Sequence, residues 1–304
     1  MITKNTVDSD VAPEIFQKHR PVVLLLIDGW GVTPANEFNA TTLAKTPVFL
    51  NLIKEYPVAL LSPGVGSWNA RYLTIGAGQE IVSEDTEPAV TLTAVLAAAK
   101  LKQIKISETE RFAALTYFFN GRAEQKMPGE EWKIISSVGG QAAVRPSLAL
   151  QRTVKEIIKT IEADEPFDFI VAAVPFLDLV AAGGDLAVVK KAVELLDKNL
   201  RPILTAVESR NGVLIISAAG GNAERMCHPG TDLVDNRKTN NPVPIIIIGS
   251  EFEGKTIGLS DPLNNDLNLL ASVGTLADLA PTILQIMNLN KPIEMTGQGL
   301  LCKN

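Results

Sequence analysis

Short apolar-rich strand candidates recur along the chain at residues 22–27, 58–61, 103–106, 133–136, 169–174, 213–217 and 244–248, and most of them are β-branched and continuous. A strand with one wet face alternates apolar and polar residues, whereas a continuous run is the pattern of a strand buried on both faces. Helical patterns fill the intervals at 46–56, 91–99, 108–118, 148–163, 185–207 and 275–287. The first of these carries Pro47 in its opening turn, a favoured place for proline. In 185–207, Leu186, Val189, Val193, Leu196 and Leu200 fall on one helical face. In 275–287, Asp278 followed by Pro281 is the one irregularity. Alternation of this kind predicts an α/β fold with a mostly parallel central sheet and helices on both faces.

Composition bounds the rest. A chain of 304 residues that is 46% hydrophobic and 20% charged can bury a large core and is not globally disordered. A net charge of -6 removes the basic footprint that nucleic acid or an anionic membrane surface requires. No run approaches the ~18 apolar residues of a membrane span. The run 22–27 follows Lys18-His19-Arg20 but is shorter than the roughly 7–15 residues of a signal-peptide core, and it ends in the polar turn Asp28-Gly29-Trp30-Gly31. Two distant cysteines, Cys227 and Cys302, fit a reducing, cytoplasmic setting and exclude a disulfide scaffold. With only His19 and His228 present, no three-imidazole centre can be built. Residues 1–20 read as a flexible polar extension, 21–304 as a single domain, 79–90 as an acidic linker, and 250–274 as a long irregular connection.

Ligands of an open α/β sheet gather beyond the carboxyl ends of its strands. Asp28, just after the run 22–27, and Asp178, just after 169–174, are the carboxylates expected there. They read either as a hard-metal pair or as turn-capping residues. The glycine-rich pieces at 29–31, 64–66, 76–78 and 220–222 complete neither a phosphate loop with its lysine nor a dinucleotide fingerprint. Cys227 and His228 with Asp232 and Asp235 are metal-ligand types, in a loop whose composition favours chance. Two histidines make a Ser-His-Asp triad unattractive.

Longer motifs point further. The stretches 23–31 (VLLLIDGWG), 107–121 (SETERFAALTYFFNG), 128–131 (PGEE), 221–224 (GNAE), 239–244 (TNNPVP), 280–284 (APTIL) and 294–297 (EMTG) occur in one order over residues 21–301. Together they resemble cofactor-independent phosphoglycerate mutase. The resemblance implies an alkaline-phosphatase-like three-layer sandwich. It also implies a phosphatase half with two Mn²⁺ or Mg²⁺ ions and a transiently phosphorylated serine, and an inserted transferase half that grips the phosphoglycerate. Here residues 76–78 pass to 91–96 through the short linker 79–90, where the family inserts its transferase domain.

Carried over one by one, the family's first metal-binding Asp matches Asp28, the Asp of its NPDMVGHTG matches Asp178, and its phosphate-holding lysine matches Arg111. The remaining positions are degenerate. The nucleophilic serine of GNSEVGHLNIGAG falls on Trp68 and the histidine of that stretch on Tyr72. The other metal-binding positions fall on Ala182, Ala219, Gly220 and Lys238. No catalytic residue, metal or cofactor is therefore expected; any residual ion would rest on Asp28 and Asp178. Three readings follow: an inactive mutase-like protein serving as a binding, regulatory or assembly subunit with an unknown protein partner; a residual phosphohydrolase or phosphomutase using a re-sited group such as Ser67 or His228; and a phosphate or small-anion binding module using Arg111 and Lys238. Lys238 is expected to take the vacated cationic role by pairing with Asp178, with Trp68 and Tyr72 filling the cleft.

Overall fold

A computed structural model describes residues 21–136, 146–228, 230–231, 233–258 and 261–301. The expected extension at 1–20, and Asp232 and Cys302, lie outside the described residues. The continuous apolar runs form the middle of an eight-stranded sheet. β1 (Val22–Ile27) lies between β5 (Phe169–Val174) and β6 (Val213–Ser217), all parallel and in register. Every residue of these three strands is buried, as two-sided burial requires. β3 (Gln103–Glu108) and β4 (Glu130–Ile135) extend the sheet on one side. On the other side lie β7 (Val243–Ile248), β2 (Val58–Ser62) and β8 (Ser272–Thr275). The order is β4-β3-β5-β1-β6-β7-β2-β8, parallel except where β7 meets β6 and β2.

The helices form two packed groups. α7 (Leu186–Ser209) packs with α1 (Ala40–Leu43), α2 (Pro47–Glu55), α5 (Pro146–Ile161) and α6 (Phe176–Ala181). α3 (Trp68–Ala77) packs with α4 (Leu92–Ala98) and α8 (Leu279–Ile286). The result is the three-layer α/β arrangement that the strand–helix alternation predicts.

Three local expectations change. The helix expected at 108–118 breaks into the end of β3, a 3₁₀ turn at Thr109–Arg111 and a π-helical turn at Ala114–Phe118. Wider and tighter turns of this kind concentrate at functional sites, and this one carries Arg111. The stretch 250–274 is not wholly irregular, because β8 adds a short, largely exposed edge strand that no apolar run announces. The helix expected at 275–287 begins as a 3₁₀ turn, Leu276–Asp278, with Thr275 and Asp278 forming a reciprocal capping box. Pro281 then sits in the first turn of α8, where its missing N–H costs nothing. Among the described residues no helix is long and apolar enough to cross a membrane.

Candidate functional site

The carboxyl ends of β5, β1 and β6 lie side by side, and antiparallel β7 begins at the same edge. Asp28 is the first residue after β1, and Asp178 sits in the opening turn of α6, after β5. Gly29 brings them together. Its φ is +98°, and a Cβ there would stand 2.6 Å from the Asp178 backbone nitrogen. With only hydrogen at that position, the Asp178 N–H reaches the Asp28 carbonyl at 3.0 Å.

Arg111, delivered by the 3₁₀ turn after β3, bridges the two side chains. Its Nε donates to Asp28 Oδ2 at 2.7 Å and its Nη2 to Asp178 Oδ2 at 2.5 Å. Tyr72 donates its hydroxyl to Asp28 Oδ2 at 2.9 Å, the Ala219 N–H reaches Asp28 Oδ1 at 3.3 Å, and Asn222 Nδ2 donates to Asp178 Oδ1 at 2.9 Å. All four carboxylate oxygens thus accept hydrogen bonds from the protein. Burial raises the pKa of Asp28 above the usual carboxylate value, and the Arg111 charge offsets only part of that rise. Burial pulls Arg111 down, but Asp28, Tyr72 and Asp178 together more than reverse it, so the guanidinium holds its proton even more firmly than usual. Burial and the Asp28 charge push Tyr72 well above its ordinary value, which keeps it a neutral donor.

These residues do not fit a divalent ion. A hard cation needs about six oxygen ligands with free lone pairs. Here a guanidinium stands between the two carboxylates, and no described group of three or more His, Cys, Asp or Glu side chains could hold a metal.

Trp68 opens α3 and is half-buried among cations. Its ring centroid lies 4.7 Å from the Arg111 guanidinium carbon, 5.4 Å from Lys238 Nζ and 5.8 Å from the Arg71 guanidinium carbon. Arg71 is 2% exposed. Its partners are the carbonyls of Ala219, Thr239 and Gly64 and the side chain of Asn240, none of them charged. Its Nε is buried without a partner. Gly220 makes room for it: a Cβ there would stand 2.0 Å from Arg71 Nη1.

The expected Lys238–Asp178 pair does not form. Arg111, already positioned by β3, takes that role, and Lys238 lies exposed over the Trp68 ring with no ion pair among the described residues. Burial lowers its pKa, and the Arg71 charge lowers it further. Tyr72 is fully buried but, through its hydroxyl, more than a filler. Ala182 caps α6 and accepts from Asn236 Nδ2. Ser67 caps α3, accepting from the Ala70 N–H and donating to Glu84 Oε2. His228 is placed with Asp235 and Arg237, and neither is part of the Asp28–Asp178 cluster.

Arg71 and Asn222 are the residues that motif matching passes over. Counting GNSEVGHLNIGAG onto 66–78 sets its second glycine on Arg71, and a charge in place of an interior glycine was the available signal. Asn222 lies inside the retained GNAE stretch, whose Glu224 is a scaffold residue. Glu224 accepts from the Gly31 N–H, the Thr239 hydroxyl and Asn241 Nδ2, tying together the loops that carry the site.

Comparisons with known proteins bear on the family and the fold. The chain is 35% identical over 214 residues to the 2,3-bisphosphoglycerate-independent phosphoglycerate mutase of Chloroflexus aggregans, covering 70% of this chain and 38% of that protein. It therefore spans well under half the length of that curated relative. Among solved structures, phosphoglycerate mutase of Leishmania mexicana, described at low cobalt concentration, aligns with a TM-score of 0.59 at 23% identity, over 71% of this chain and 40% of that one. Alkaline phosphatase from the Antarctic bacterium TAB5 aligns with a TM-score of 0.54 at 10% identity, over 90% of this chain and all of that one, a likeness of fold. The model of the metalloenzyme superfamily matches residues 20–291, so the chain, mutase-like in sequence and alkaline-phosphatase-like in fold, belongs to the metalloenzyme superfamily.

Proposed function

We propose that this chain is a non-catalytic member of its superfamily, a binding, regulatory or assembly subunit on a phosphoglycerate-mutase-like frame. The observation that carries the reading is the Arg111 guanidinium bridging Asp28 and Asp178 at 2.7 and 2.5 Å. Phosphoryl transfer needs an activated hydroxyl and cations that face the developing charge on the phosphoryl oxygens. An indole at Trp68 offers no nucleophilic oxygen. Arg111 spends its cationic charge on the protein's own carboxylates. Two cysteines far apart in sequence suit a cytoplasmic setting.

The test is hydrolysis of p-nitrophenyl phosphate by the full chain with excess Mn²⁺, beside an Asp28→Ala control. The reading predicts no turnover above the control. Turnover abolished by Asp28→Ala would overturn it and establish a rebuilt active site.

A second reading, anion binding, is favoured by Arg71 and Lys238, which meet at the Trp68 ring without carboxylate partners among the described residues. Saturable binding of inorganic phosphate that disappears in Lys238→Met would select it.

A further inference from the structure

A second concavity of about 310 Å³ lies between the loop after β1, the α1–α2 segment and residues 264–268. It shares no lining residue with the Asp28–Asp178 site. Trp30 and Phe49, with ring centroids 4.4 Å apart, supply an aromatic wall, and Ile53 and Leu267 add aliphatic surface. The volume falls at the small end of the ligand-pocket range of about 300–1,000 Å³.

Two polar groups in its wall have unused hydrogen-bonding capacity among the described residues. Thr46 stands at the N-cap of α2, where a threonine hydroxyl ordinarily accepts from the first free N–H groups of the helix. Here Asp197 of α7 does that work, accepting from the Val48 N–H at 3.1 Å and the Phe49 N–H at 2.8 Å. The Thr46 side chain makes no capping bond, although the residue is only 6% exposed. Asn268 Oδ1 is buried with no hydrogen-bond partner among the described residues, while its Nδ2 is held by Asp266. A buried polar group left unpaired is costly, and a ligand that satisfies it is correspondingly favoured.

We propose that this concavity is a binding site for a small planar molecule with an apolar ring and N–H or O–H donors, neutral or cationic. The aromatic wall accounts for the ring, and the orphaned Asn268 carbonyl and unused Thr46 hydroxyl account for the donors. Asp266 is the one ionisable side chain among the described lining residues, and its negative charge excludes an anion.

Three probes of one shape test it: benzamidine (cationic), benzamide (neutral) and benzoate (anionic, without a donor). The readout is the Trp30 indole N–H signal in ¹⁵N-labelled protein, which has three tryptophans to resolve. Benzamidine and benzamide are expected to move that signal saturably at millimolar concentration, as weak fragments do, and benzoate is expected to leave it unmoved. Thr46→Val keeps the shape and removes no helix cap, so the fold is retained; binding is expected to weaken about fivefold. Asn268→Ala is expected to weaken it to a similar degree. An unmoved Trp30 signal with all three probes, equal response to benzoate, or unchanged affinity in both variants overturns the proposal.

Discussion

Two buried charge clusters grow from β3 and its continuation, and they are finished to different degrees. Lys105, in β3, is 1% exposed. Its ammonium reaches Thr93 Oγ1 at 2.9 Å, Asn120 Oδ1 at 2.5 Å and Glu130 Oε1 at 2.5 Å, one acceptor for each N–H. Glu130 in turn accepts from Asn120, Trp132 and the Met127 N–H. One positive and one negative charge cancel, and every donor and acceptor of the pair is used. The cluster around Arg111 sets three cations, Arg71, Arg111 and Lys238, against two carboxylates. It also leaves Arg71 Nε and Asn222 Oδ1 without partners among the described residues. A closed network of the first kind fixes a fold, because nothing remains for a ligand to satisfy. An open one with surplus charge, an unmet donor and an unmet acceptor retains the means to recognise something.

The largest expected effect lies in the closed cluster. Lys105→Met or Glu130→Gln leaves a buried polar group or charge uncompensated and should cost about 3–5 kcal/mol in urea denaturation. A loss below about 1 kcal/mol would show that the network is not tightly held. Arg111→Met should follow at about 3 kcal/mol, since it leaves two carboxylates facing each other. In this variant, unlike the first pair, added Mn²⁺ should recover part of the loss by binding the freed oxygens.

Glu108, the last residue of β3, offers a smaller effect with a pH signature. Burial raises its pKa from 4.5 to about 7, with the Thr153 hydroxyl opposing. A carboxyl whose folded pKa is raised keeps its proton in the folded state after the unfolded chain has lost it. Its contribution to stability is full below pH 4.5 and is lost as pH rises through about 7. Glu108→Gln should flatten that decline by about 2 kcal/mol in a series of denaturation curves. A wild-type profile already flat over this window would contradict the assignment. Lys238→Met should be smallest in stability, within about 0.5 kcal/mol of wild type, because Lys238 is exposed and makes no ion pair among the described residues. Its signature would instead be weakened phosphate binding by calorimetry.

Much of the frame is legible in the sequence because it depends on local patterns. The runs 22–27, 169–174 and 213–217 are buried strands at the same boundaries, since continuous β-branched sequence has few other uses. β8 is not legible, because an exposed four-residue edge strand carries no periodic signal. At the site, Asp28, Asp178 and Arg111 can be named from their motifs, but the bridge between them cannot. It depends on the 3₁₀ turn that swings Arg111 over and on the close approach that Gly29 permits. Lys238 shows the limit of matching charge to charge. Two cations were available near Asp178, and chain geometry rather than residue type decided which one reached it.

Arg111 sets its guanidinium between Asp28 and Asp178, where a metal ion would need their oxygens. A calorimetric titration of the wild-type chain and of Arg111→Met with Mn²⁺ tests this directly. No stoichiometric binding by the wild type and measurable binding by the variant is the predicted result. Stoichiometric Mn²⁺ binding by the wild type, unchanged when Arg111 is replaced, would contradict it.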